Sequence, residues 1–137
     1  MTYLVYQRPI NNSTSHILND DPSSDFAQAY FRLLMPNKDN VEALVSNALY
    51  WDIYRPTMII SADDGVSLSL HETFDAGNGY PKQGINVSAL CKHPSMSVGD
   101  LVVDLYVNHV YVCMPTGWHH ISNGELKLSI PPRAELI

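Results

Sequence analysis

Residues 93–121, HPSMSVGDLVVDLYVNHVYVCMPTGWHHI, limit what this chain can fold into more than any other stretch. Short runs of Val, Leu, Tyr and Trp alternate there with turn formers, which is the pattern of antiparallel strands joined by tight connections. Val98-Gly99-Asp100 reads as a turn, residues 101–107 as a strand, Asn108-His109 as the link, and residues 110–114 as the returning strand. Pro115-Thr116-Gly117 turns the chain again, and a third short strand begins at Trp118. Side chains alternate across a strand. Leu101, Val103, Leu105 and Val107 are therefore expected on one face, and Val102, Asp104 and Tyr106 on the other.

Two segments carry a helical period instead. In residues 24–35, Phe26, Ala27, Tyr30, Phe31 and Leu34 recur at helical spacing behind an N-cap at Ser23 or Ser24, with Asp25 in the first turn. After Pro36-Asn37, a cap at Asp39 or Asn40 opens the clearest helix, where Val41, Leu44, Val45, Ala48 and Leu49 follow the i, i+3, i+4, i+7, i+8 pattern. Residues 2–7 predict a first strand, residues 57–61 another, and Asp63-Asp64-Gly65 a hairpin turn. Val66, Leu68 and Leu70 then alternate with Ser67, Ser69 and His71 as a half-buried strand. Residues 8–23, rich in Asn, Ser, Asp and Pro, read as a long loop, and residues 75–84 (DAGNGYPKQG) as an exposed one. Residues 85–90 predict a strand, Asn123-Gly124 a hairpin into a last strand over 125–130, and residues 131–137 a loose tail. The expectation is one α+β domain over residues 1–137: an antiparallel sheet or small open barrel centred on the hairpin, with two helices packed on one face.

Composition removes several function classes. At 137 residues, 45% hydrophobic and 16% charged, the chain buries a core without staples and is not a disordered segment. Its net charge is −6, and its eight Lys and Arg form no cluster that would track a phosphate backbone. Nucleic acid is thus not the expected partner; a basic surface on another protein is. The oligomeric state stays open, a dimer included. The N-terminus, MTYLVYQRP, lacks a signal-peptide hydrophobic region, and no apolar run approaches the ~20 residues that span a bilayer. The expected setting is the cytoplasm, with no membrane partner.

Chemistry-bearing residues are present but poorly spaced. Cys91, His93, Cys113 and His119 or His120 are of types that zinc accepts, yet no C-x-x-C anchor joins them, and no metal or cofactor is expected. Cys91 and Cys113 both lie in apolar segments and read as buried reduced thiols. Asp20-Asp21 and Asp63-Asp64 sit in turn sequences, and Asp100 is expected to bond the backbone of its own turn. The glycines of residues 75–84 match no phosphate-cradling motif. Aromatics are the better lead: Tyr50, Trp51 and Tyr54 crowd five residues, and Tyr80 sits in the glycine-rich loop. Tyr80, Asp75, Asn78, Lys82, Trp51 and Tyr54 are the candidate partner-binding residues. An enzyme would need a pocket gathering His109, His119 and Cys113; a nucleic-acid or nucleotide binder on a small barrel would need a basic stripe from Arg55, Lys82, Lys92 and Lys127.

Ser95-Met96-Ser97-Val98-Gly99-Asp100-Leu101-Val102, with Tyr111-Val112-Cys113, Thr116-Gly117-Trp118 and Ile121, resembles the C-terminal box of YodL-like domains, with Trp118 where Phe is more usual. The likeness spans roughly residues 94–121 and carries no active-site residues. It implies an accessory protein of phages or mobile elements, and with it a non-enzymatic role in binding a host or element-encoded protein, inhibition of a defence or regulatory factor included.

Overall fold

The structure, a computed structural model, describes residues 1–8 and 12–122. One antiparallel sheet organises it. Its strands are β1 (Thr2–Gln7), β2 (Arg55–Ala62), β3 (Ile85–Ala89), β4 (Leu101–Asp104), β5 (His109–Cys113) and β6 (Trp118–Ser122), in the order β3-β2-β1-β4-β5-β6. The helices are α1 (Asn12–Asp20), α2 (Asp25–Arg32), α3 (Val41–Tyr50) and α4 (Leu70–Gly77). The fold is α+β, and the sheet is open, with β3 and β6 at opposite ends of the row.

β1 is buried along its whole length because both of its faces are covered. Leu4 and Tyr6 point into a core shared with Leu101, Val103, Val110, Val112 and Ile121, and α2 and α3 close it with Ala27, Tyr30, Leu33, Val41, Val45 and Ala48. Tyr3 and Val5 point the other way, into a second core with Met58, Ile60, Val102 and Met96, closed by Ala76 of α4. The two expected helices thus pack on one face, as the periodicity indicates, and α4, a helix not expected from the sequence, covers the other. Gly77 sits in that cover. A Cβ there would collide with the Met96 side chain, so glycine lets the methionine reach the helix.

Three departures from the sequence reading have physical causes. Residues 8–23 are not one long loop, because α1 occupies residues 12–20. Neither Gly nor Pro occurs between Pro9 and Pro22, and Leu18 is buried in the first core, which fixes an otherwise polar segment. The alternation of Val66, Leu68 and Leu70 does not make a strand, because Ser69 opens α4 with a reciprocal cap. The Ser69 hydroxyl accepts the Glu72 N–H at 3.1 Å, and the Glu72 carboxylate accepts the Ser69 N–H at 2.9 Å. Finally, the strand expected over 101–107 stops at Asp104. The Asp104 carboxylate accepts the Tyr106 N–H, its carbonyl accepts the Asn108 N–H, and Asn108 takes φ +61°. Asp104 pairs with His109, so residues 105–108 form the link and Tyr106 and Val107 stand in solvent. This hairpin also lies off-centre, since the middle pair of the sheet is β1–β4. The hairpin at Asn123-Gly124, the strand over 125–130 and the tail lie outside the described residues.

Candidate functional site

Two places stand out, one at the end of the central strands and one beyond α4. At the first, β1 leaves the sheet with Gln7 and Arg8, while β4 enters it from Asp100. All three are polar and almost wholly buried, with exposures of 1%, 6% and 2%. Gln7 donates its amide to Asp100 Oδ2 at 3.1 Å and accepts from the Thr57 hydroxyl at 2.7 Å. Ser97 N–H also donates to Asp100 Oδ2, at 2.8 Å, so Asp100 does bond its own turn. Burial pushes the Asp100 carboxyl up to about 6, against those two hydrogen bonds and the nearby Arg8 charge. Arg8 lies over the Tyr30 ring and donates to the carbonyls of Val98 and Tyr30. Gly99, at φ +91°, makes the space for it: a Cβ would collide with the Leu33 carbonyl and press on the guanidinium. A cleft of about 840 Å³ opens over this floor, walled by Tyr30, Leu34 and residues 91–95.

The second place is the loop after α4. Asp75, Ala76 and Gly77, read from sequence as loop, are the last turn of that helix. Asp75 holds the turn together: its carbonyl accepts Tyr80 N–H at 2.9 Å, and its carboxylate faces His71 at 3.4 Å. Asn78 caps the helix, with N–H donated to Phe74 O. Lys82 reaches back to Glu72, and this bond with the cap holds the Glu72 carboxyl down to about 2. Gly84 O accepts Asp63 N–H at 2.8 Å and closes the far end of the loop. On this braced backbone Tyr80 is 80% exposed.

The other expected binding residues lie elsewhere. Trp51 is half-buried at the end of α3, edge-to-face with the exposed Tyr50, and packs on the core across the sheet from the one that α4 closes. Tyr54 is no surface residue: it is buried, and its hydroxyl donates to Gly99 O at 2.6 Å. Sequence reasoning could place an aromatic cluster there but not the carbonyl that drew Tyr54 inward. It also passed over Gln7 and Arg8, which look like ordinary polar residues at a strand exit.

The alternative sites are not assembled. His119 faces α3, 3.3 Å from Glu42, whereas His120 packs at a tilt against the rings of His109 and Tyr111 on the other face. Cys113 sits at the far end of β5 from His109, and burial pushes its thiol up to about 11, away from a nucleophile's range. Cys91 is exposed, contrary to expectation, because it lies past the end of β3. Among the described residues no three His, Cys, Asp or Glu side chains are placed to hold a metal, and no helix is long and apolar enough to cross a membrane. Arg55 and Lys82 are each engaged by a carboxylate, Asp52 and Glu72, at opposite ends of the β2–β3 pair. Lys127 lies outside the described residues. No family model, no curated protein and no solved structure matches the chain.

Proposed function

We propose that this chain is a non-enzymatic protein that binds another protein through the loop after α4, with Tyr80 as its anchor. The observation that carries this reading is the 80% exposure of Tyr80 on a loop whose backbone is already tied at both ends. A large aromatic offered from a fixed backbone supplies contact area at little ordering cost, as interface anchors do. Asp75, Asn78 and Lys82 flank it and give the contact a polar rim. The net charge of −6 suits a partner with a basic surface. The likeness of residues 94–121 to YodL-like domains supplies the biological setting of the proposal: a cytoplasmic accessory protein of a phage or mobile element, acting on a host or element-encoded protein, with inhibition as one outcome of binding.

The test is affinity capture from a lysate of the source organism, run in parallel with wild type, Tyr80→Ala and Tyr50→Ala. The reading expects a protein retained by wild type and Tyr50→Ala and lost from Tyr80→Ala, with all three baits melting alike. Equal retention by wild type and Tyr80→Ala would sink it.

A further inference from the structure

β3 ends the sheet, and among the described residues its outer edge has no neighbouring strand. The register fixes which of its backbone groups face outward. Asp63 N–H donates to Gly84 O and Leu90 N–H to Thr57 O, so the bonded pairs with β2 between them fall at Asn86 and Ser88. The N–H and C=O groups of Ile85, Val87 and Ala89 therefore point away from β2. Lys82 O accepts the Ile85 N–H in the turn that enters the strand. Val87 and Ala89 each keep an outward donor and an outward acceptor, on a stretch that is exposed from Asn86 to Lys92. Folded chains usually blunt such an edge with a charge, a proline or a bulge. Residues 83–91, QGINVSALC, carry neither charge nor proline, and β3 pairs with β2 without a register shift. Val87 and Leu90 also leave apolar side chains in solvent there, 38% and 37% exposed.

We propose that the chain forms a two-fold dimer through β3, with Ser88 facing Ser88 of the second copy and one antiparallel sheet running through both. This register sets Val87 opposite Ala89 of the second copy on each side of the axis. Each such pair exchanges two hydrogen bonds, so every outward group of Val87 and Ala89 is satisfied and the Lys82–Ile85 turn is left as it is. The contact is self-complementary, as a two-fold interface must be. Charge favours a second copy as the occupant. At net charge −6 two copies repel over most of their surface, and β3 lets them meet without opposing charges. The charges nearest along the chain, Lys82 and Lys92, are opposite in sign to that surplus. A strand pair is a small interface, so the dimer is weak, with Kd on the order of 100 µM.

The experiment is sedimentation equilibrium of the full chain from about 10 µM to about 1 mM, a range that brackets such an affinity. Wild type is expected to rise from the monomer mass of 15.3 kDa toward twice that value. Ser88→Lys sets like charges face to face across the axis at an exposed position. It is expected to raise Kd roughly tenfold or more at unchanged melting temperature, and an equimolar mixture with Ser88→Glu is expected to associate again. Cross-linking then reads the register, in a Cys91→Ser background because Cys91 is exposed. Ser88→Cys is expected to give a disulfide-linked dimer under mild copper–phenanthroline oxidation, since facing residues bring their Cβ atoms to about 4.5–5.5 Å. Asn86→Cys, which faces Leu90 of the second copy, is expected to stay monomeric. Three results overturn the proposal: wild type at monomer mass throughout, association unchanged in Ser88→Lys, or cross-linking of Asn86→Cys in preference to Ser88→Cys.

Discussion

Asp100 is the residue whose placement has the most measurable consequence. It keeps its proton to about 6 in the fold and to about 3.8 when exposed, because burial penalises the charged form more than Ser97, Gln7 and Arg8 favour it. A group raised in this way contributes stability that is complete below about 3.8 and is lost as pH climbs through about 6. The loss amounts to at most about 3 kcal/mol. Asn in its place accepts the same two hydrogen bonds and does not titrate. The melting temperature of Asp100→Asn relative to wild type is therefore expected to rise by several degrees between about pH 4 and about pH 7. A difference that is flat with pH would contradict the burial of a charge here. Sequence exposed half of this site. The turn-bonding role of Asp100 followed from Gly99-Asp100, but its bond to Gln7, 93 residues away, depends on β1 lying beside β4.

At the scale of elements, legibility followed the strength of local signals. Val41, Val45 and Ala48 are fully buried, as their spacing requires, and Ser24 accepts the Ala27 N–H as an N-cap should. Leu44 is only partly buried beside them. Leu44→Ala is accordingly expected to cost about 1 kcal/mol, whereas Leu33→Ala, at a position without any exposure, should cost about 2–5 kcal/mol. Urea unfolding compares the two directly, and equal losses would misplace the helical layer. α1 escaped notice because Leu18, the residue buried among its described side chains, is held by the tertiary structure and not by a local signal. α4 had a signal that was outvoted: Ser69 and Glu72 stand in capping-box spacing inside what looks like strand alternation. Ser69→Ala should cost about 1 kcal/mol of stability. A loss of less than a few tenths would mean that the cap contributes little to holding α4 on the sheet.

For the molecule as a whole, the hairpin at residues 101–113 pointed to an antiparallel sheet, and period alone pointed to helices on one face. The second helical cover was not legible, because nothing in the alternation of residues 66–71 distinguishes a strand edge from a helix start except one serine. That cover matters for function. α4 turns the second face of the sheet into a core and, at its C-terminal end, holds the loop that lifts Tyr80 into solvent. Trp51, with Tyr50 against its ring, packs on the core that α2 and α3 close, across the sheet from the core that α4 closes. The direct test is the affinity of the captured partner for wild type and Tyr80→Ala, measured by titration calorimetry. The account predicts a loss of about 1–2 kcal/mol or more, roughly tenfold in Kd, at equal melting temperature, with Tyr50→Ala unchanged. Equal affinities for wild type and Tyr80→Ala would contradict it.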